Sequence, residues 1–229
     1  MNKQRIVALL PMKANSQRVA GKNFKDFNGK PLFRWILDTL LSIKDIDCVV
    51  INTDAREILA KNGLVENDKI IIRDRRPEIC GDMVSMNLII EDDIENIDAD
   101  IYIMTHTTNP LVKSETIRSA LNLFRIKEQK GEADSLFSVD KIQTRFYRGD
   151  CSPVNHDPGN LLRTQDLEPW YEENSNFYFF TKKAFRITNG RIGKNPIMFE
   201  TPKLESIDID TPDDWNFGLI AAKYLINNQ

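Results

Sequence analysis

Between Leu10 and Asn23 the chain reads Leu-Pro-Met-Lys-Ala-Asn-Ser-Gln-Arg-Val-Ala-Gly-Lys-Asn, which puts the cations Lys13, Arg18 and Lys22 and the hydroxyl of Ser16 in one stretch. Donors so spaced can neutralise several oxygens of a polyphosphate at once. The other reading is a solvated basic loop. The stretch is not a P-loop, because Gly-Lys-Ser/Thr does not follow four spaced residues, and it is not a Gly-x-Gly-x-x-Gly fingerprint. A second chemical feature lies at Ser206-Ile207-Asp208-Ile209-Asp210-Thr211. In an extended chain alternate side chains share a face, so Asp208 and Asp210 point one way while Ile207 and Ile209 point into the core. Two carboxylates side by side repel unless a cation lies between them. Hard oxygen donors that leave places for water and phosphate suit Mg²⁺, with Mn²⁺ as a substitute. The alternative is an Asp210 that helps start the next helix and an Asp208 paired with a lysine.

The elements that must hold these groups follow from the apolar periodicity. Arg5–Leu10 is a short apolar run ending at Pro11, and Leu32–Leu41 repeats apolar residues at 32, 33, 36, 37, 40 and 41, which gives a strand, a loop and a helix. The alternation continues with strand Asp47–Asn52, helix Ala55–Asn62, strand Lys69–Ile72, helix Val84–Glu95, strand Asp100–Met104, helix Ser114–Lys127 and strand Asp134–Val139. Fully apolar strands such as Cys48-Val49-Val50-Ile51 predict a mainly parallel sheet with helices on both faces, an α/β fold. In such sheets ligands gather at the carboxyl ends of strands, where the loop after the first strand and His106 both fall. His106 reads equally as a ligand contact or as a hydrogen-bonded histidine.

After Asp140 the pattern changes. Arg145–Tyr171 mixes aromatics, Pro153, Pro158, Pro169 and turn-forming Asn, Asp and Gly, which predicts an inserted arm of about 141–173 in a single domain spanning 1–229. His156 reads as a residue of that arm, and Trp170 and Tyr171 serve either a partner surface or the chain's own core. Strands are expected at Ser175–Thr181, Pro196–Glu200 and Leu204–Asp210. A last helix follows, capped by Thr211, with Pro212 at its first position and Asp213 and Asp214 at its positive end. Trp35 and Trp215 lie on helices and read as packing residues.

Composition narrows the class. Of 229 residues, 41% are hydrophobic and 28% charged, enough for one packed core without staples and not the composition of a disordered chain. Lys and Arg total 31 against 34 Asp and Glu, a net charge of −3, so no general nucleic-acid surface is expected and any anion site is local. No apolar run approaches the roughly 20 residues of a membrane span, and only six apolar or small residues separate the opening Met-Asn-Lys-Gln-Arg from Met12. Three widely separated cysteines, Cys48, Cys80 and Cys151, form no Cys-x-x-Cys pair. Together these point to a cytoplasmic protein with no membrane partner.

Several blocks carry a resemblance. Pro-x-Lys-x-x-Ser-x-Arg-x-x-Gly-Lys-Asn at 11–23, then Asn28-Gly29-Lys30-Pro31-Leu32 and an amphipathic helix, resemble the opening of the CMP-sugar synthetases. That family includes the acylneuraminate and the 3-deoxy-manno-octulosonate cytidylyltransferases. The resemblance continues at Asn52-Thr53-Asp54, at Arg76-Pro77-Glu78 with Asp82 and Ser85, at Thr108-Asn109-Pro110-Leu111, and at Ser206–Pro212. Arg163-Thr164-Gln165-Asp166-Leu167 resembles a block of the acylneuraminate branch. The sequence departs from the family pattern in Lys13, where arginine is usual, in Met86, which replaces a second serine, and in His106, where that branch usually carries a glutamine that contacts the sugar.

The resemblance implies a Rossmann-like nucleotidyltransferase that moves CMP from CTP to the anomeric hydroxyl of a nonulosonic, sialic-acid-like acid and releases pyrophosphate. An octulosonic or a legionaminic- or pseudaminic-type acid is the alternative acceptor, and a non-catalytic nucleotide-binding regulatory module is the alternative of another class. By position, Lys13, Ser16, Arg18, Lys22 and Asn23 would bind the triphosphate and ribose, and Arg76 and Ser85 would lie near cytosine and ribose. His106, Arg163 and Gln165 would face the acidic keto-sugar, and Asp208 and Asp210 would hold Mg²⁺ beside Lys22 as the catalytic group. The family also implies a homodimer in which the arm reaches across a two-fold axis.

Overall fold

The first strand sets the architecture: Ile6, Ala8 and Leu10 pack to one face and Val7 and Leu9 to the other, each fully buried, as the two-residue period of a central strand demands. The computed structural model describes residues 3–227. Its elements run β1 (Ile6–Leu9), β2 (Asp26–Phe27), β3 (Lys30–Pro31), α1 (Leu32–Ser42), β4 (Cys48–Thr53), α2 (Arg56–Lys61), β5 (Ile70–Asp74) and α3 (Met86–Asn96). They continue with β6 (Ile101–Thr105), α4 (Ser114–Gln129), β7 (Ser135–Ile142), β8 (Trp170–Phe180), α5 (Lys182–Thr188), β9 (Pro196–Glu200) and α6 (Pro212–Asn227). The main sheet has the order β5-β4-β1-β6-β8-β7-β9. β8 pairs antiparallel with both neighbours and the other pairings are parallel. The α/β sandwich expected from the periodicity is present, with α1 and α4 packed on one face and α3 and α5 on the other.

Three differences from the sequence reading have physical causes. β2 and β3 form an unforeseen small hairpin over 26–31, closed by Asn28 and Gly29 at φ 52° and 94°, as a two-residue primed turn requires. Its Phe27 meets Trp35 and Trp215 edge-on at 5.7 and 5.3 Å, so both tryptophans are packing residues. The helix α5, also unforeseen, is only seven residues and is capped by Thr181 Oγ1, which accepts from Ala184 N.

The third difference is a correction: Leu204–Asp210 is not a strand. The segment approaches the sheet beyond the end of β6, whose two edges are already taken by β1 and β8, so it cannot add a ladder. Ile209 N instead donates to Thr108 O at 2.8 Å. The alternation expected for the segment survives without the ladder, because Ile207 and Ile209 are buried while Asp208 is exposed and Asp210 half-buried. α6 lies close behind it through Gly218, where a Cβ would stand 3.1 Å from Ile209 Cδ1 and 3.2 Å from Phe27 Cζ. A polar anchor completes the placement: Ser206 Oγ donates to Asp140 Oδ1 at 2.6 Å, and buried Asn174 Nδ2 donates to Thr201 Oγ1 at 2.6 Å and to Asp140 Oδ1 at 3.1 Å. Among the described residues no helix is long and apolar enough to cross a membrane.

Candidate active site

A cleft of about 350 Å³ opens at the carboxyl ends of β1 and β6, the point where the chain changes direction across the sheet. The loop after β1 forms one wall. It is held from below by Lys22, 7% exposed, and Asn23, 4% exposed, which lie in a short 3₁₀ turn entered through Gly21 at φ 59°. Asn23 Nδ2 donates to Lys13 O at 2.9 Å, and its Oδ1 accepts from Thr107 Oγ1 at 2.7 Å, which ties the loop to the end of β6. A basic loop so anchored is a built wall and not a solvated excursion.

Each cation of the loop meets a carboxylate across the cleft. Lys22 Nζ donates to Ile209 O at 2.5 Å and lies 3.1 Å from Asp210 Oδ1, and Arg18 Nη2 lies 2.9 Å from Asp210 Oδ2. Lys13 and Gln17 both bond to Asp82, and the Lys13 ammonium holds that carboxyl below its ordinary range. Lys13, Ser16, Arg18, Lys22, Asn23 and Asp210 therefore line one space. It is dense in donors of the kind that suits phosphate, and the paired carboxylates hold the cations in place.

The arginine doublet divides differently from the sequence expectation. Arg76 does not line the cleft; its Nε bonds Asp92 Oδ1 at 2.8 Å. Arg75 lines it, with Nη2 donating to Met12 O at 3.1 Å and Asn52 O at 2.8 Å and Nε donating to Asn52 Oδ1 at 3.0 Å. Burial lowers its pKa, the largest effect, against nearby carboxylates that raise it. Behind Asn52 lies a buried ionic cluster: Asn52 Nδ2 donates to Asp93 Oδ1 at 2.8 Å and Asp92 Oδ2 at 3.2 Å, and Arg73 bonds both acids. Burial pushes Asp93 up to about 6 despite its hydrogen bonds from Asn52 and Arg73. Nothing local to two adjacent arginines says which one turns inward.

Ser85 does not line the cleft: it caps α3, its Oγ accepting from Asn87 N at 3.3 Å, and lines a second cavity that shares Met86 with the cleft. His106 keeps some solvent access yet is enclosed by protein; burial, aided by the charges of Arg191 and Lys22 and opposed by Asp210, pushes it down to about 3. It is neutral at ordinary pH. Arg163 and Gln165 are not brought to the cleft. Both sit on the exposed arm, where Arg163 pairs with Asp166 at 2.6 and 3.1 Å and Gln165 O accepts from Gln143.

Asp210 lines the cleft, whereas Asp208 stands beside it outside the lining, near Thr108; both offer hard oxygen donors. Asp208 is exposed as a residue, yet the protein packed around its carboxyl raises the pKa by desolvation, and the charge of Asp210 adds to this while a hydrogen bond from Thr108 and the charge of Lys22 oppose it. A divalent cation between the two would relieve that repulsion, so the donor set fits magnesium. No group of three or more His, Cys, Asp or Glu converges among the described residues, so water and phosphate oxygens would complete such a site.

Comparison with known proteins now bears on the cleft. A family model described as Cytidylyltransferase matches residues 7–209. The chain is 26% identical to the pseudaminic acid cytidylyltransferase of Campylobacter jejuni, covering 95% of this chain and 96% of that one. It is 28% identical to the N-acylneuraminate cytidylyltransferase of Oncorhynchus mykiss over 93% of this chain and 49% of that longer one. Among solved structures it superposes on 4-diphosphocytidyl-2C-methyl-D-erythritol synthase from Anaerococcus prevotii with a TM-score of 0.67, at 14% identity over 98% and 97% of the two chains, a likeness of fold alone.

Proposed function

We propose, because this chain belongs to the cytidylyltransferase family and is thereby a nucleotidyltransferase, that it transfers CMP from CTP to the anomeric hydroxyl of a nine-carbon nonulosonic acid. The observation that carries the reading is the convergence of Lys13, Arg18, Lys22 and Asp210 on one cleft at the switch of the sheet. The relatives act on pseudaminic and N-acylneuraminic acids, which supports an acid of that class.

In the proposed reaction the anomeric hydroxyl oxygen attacks the α-phosphorus and loses its proton to solvent, while the bond from the α-phosphorus to the bridging oxygen breaks and pyrophosphate leaves with that electron pair. Lys13, Arg18 and Lys22 exchange their carboxylate partners for phosphate oxygens and hold the chain of phosphates in line, which places the rate enhancement in positioning and electrostatics. Lys22, anchored below by Ile209 O, is the cation with least freedom to move. Magnesium, held by Asp208 and Asp210, would supply charge compensation to the triphosphate. His106, at about 3, is too weak a base to take the hydroxyl proton. We further propose that the arm mediates a homodimer and that Arg163 and Gln165 serve the partner's sugar site, which accounts for their distance from this chain's own cleft.

The test is pyrophosphate release from CTP with N-acetylneuraminic, legionaminic, pseudaminic and 3-deoxy-manno-octulosonic acids. Release with a nine-carbon acid is expected. Release with the octulosonate alone reassigns the acceptor, and no release with any acid while CTP still raises the melting temperature favours a non-catalytic nucleotide-binding module.

A further inference from the structure

The acceptor's own contacts within one chain are unassigned so far, and the second cavity bears on them. It measures about 400 Å³, shares Met86 with the nucleotide cleft, and is bounded by Ser85 and Asn87 on one side and Glu173 and Arg191 on the other. The Arg191 side chain is 21% exposed, and its guanidinium carbon lies 3.8 Å from the centroid of the Tyr178 ring. That ring fixes the plane of the fork from beneath. Its polar contacts are long ones: Nη2 to Glu173 Oε1 at 3.3 Å, and Nη1 to His106 Nε2 at 3.4 Å and to Met104 Sδ at 3.9 Å. A planar guanidinium engaged in this way retains the capacity for a two-point carboxylate contact, its strongest mode.

The backbone is bent to make this arrangement. Between β7 and β8 the register passes from Phe137 opposite Tyr178 to Val139 opposite Glu173, a bulge that includes Ser175 at φ 60°. Regular pairing would place Asn176 opposite Val139; the bulge puts Glu173 there, with its carboxylate bonded to the Tyr178 hydroxyl and close to Arg191. Bulges and left-handed non-glycine residues collect where a side chain must be re-aimed for a site. His106, which lines neither space, backs the Arg191 guanidinium through its Nε2.

We propose that Arg191 binds the carboxylate of the sugar-acid acceptor, with Glu173 holding the guanidinium in place beforehand, so that this pair decides acid against uncharged acceptors. The inference rests on the cytidylyltransferase reading above and names a residue for it. The acceptor lies in the cavity that shares Met86 with the nucleotide cleft, as transfer between the two demands.

The experiment compares the sugar acid that the wild type uses best with its methyl ester, which keeps the ring and removes the charge. Wild type is expected to favour the acid by about 10- to 100-fold in kcat/KM, the range of a hydrogen-bonded charge. Arg191→Gln should raise the KM for the acid by a similar factor, leave the KM for CTP within about twofold, and bring acid and ester to near-equal use. Arg191→Lys, which keeps charge and loses the fork, should fall between, and it carries the test if the glutamine variant does not fold. An undiminished preference for the acid in the variant, or equal rises in the KM for CTP and acid, would overturn the assignment. A wild type that releases no pyrophosphate with any acid is a different failure, that of the functional reading itself.

Discussion

The loop at 10–23 and the segment at 143–169, the part of the expected 141–173 arm left irregular because β7 runs to Ile142 and β8 starts at Trp170, are both polar, yet they are held in opposite ways. The loop buries Met12, Val19, Lys22 and Asn23 and is tied to β4, to the end of β6 and to the segment at 209–210. The arm buries Leu167 and holds itself largely through its own contacts, such as Arg145 Nη2 donating to Leu162 O at 2.5 Å and His156 Nε2 bonded to Tyr147 Oη at 2.9 Å, while Phe146 stacks on Trp170 of β8 at 5.0 Å. It leaves Tyr147, Leu161 and Leu162 exposed. An irregular segment with buried polar anchors can preorganise charge, whereas one that presents apolar side chains to water offers a surface for docking.

The largest effect expected from this contrast is on the anchored side. Asp208→Asn and Asp210→Asn should each leave the protein folded and lower turnover by about two to three orders of magnitude, the scale of lost preorganised charge, with partial recovery at high Mg²⁺ or Mn²⁺. Near-normal rates for both at limiting metal would show that Asp210 serves only to hold Arg18 and Lys22 and that Asp208 takes no part in the chemistry.

On the arm the expected effect is smaller and concentration-dependent. The purified protein should scatter light as a dimer, and Leu161→Asp with Leu162→Asp should shift it to monomer and cost about tenfold in activity at dilute protein, on the scale of a few lost interface contacts. These two side chains are 68% and 48% exposed, and so their replacement removes little packing within the arm itself. A wild-type monomer with full activity would sink the shared site.

The smallest effect sharpens the anchored side alone. Asp93 binds its proton more tightly in the folded protein than in the unfolded chain, so its contribution to stability is full below about 3.8 and is lost as pH rises through about 6. Asp93→Asn should therefore melt close to wild type near pH 4 and gain on it toward pH 7, by on the order of 1–3 kcal/mol. A constant difference in melting temperature across that range would show that Arg73 and Asn52 compensate the buried charge in full.

Much of the frame was legible because it is local. The two-residue period of Ile6–Leu10, the helical period of Leu32–Leu41 and the Thr211-Pro212 start of α6 each follow from the conformations of a few neighbouring residues. Thr211 Oγ1 accepts from Asp214 N at 3.2 Å while Asp214 Oδ2 accepts from Thr211 N at 2.7 Å, a reciprocal cap already present in the order of residues. The alternation of Ile207, Asp208, Ile209 and Asp210 survived even where the expected strand did not, because burial of two isoleucines needs no ladder.

Pairing across the fold was a tertiary matter. Lys22 meets Asp210 over 188 positions and Arg191 meets His106 over 85, separations that no local pattern encodes. Which of Arg75 and Arg76 turns into the cleft depends on where Asn52 and Asp92 stand, and the neutrality of His106 on what encloses it. Residue order by itself determined which chemistry was present, since side-chain type and backbone period are properties of the chain. Which carboxylate each cation faces was decided only by the packed structure, because charge and burial act through distance in space and not along the sequence.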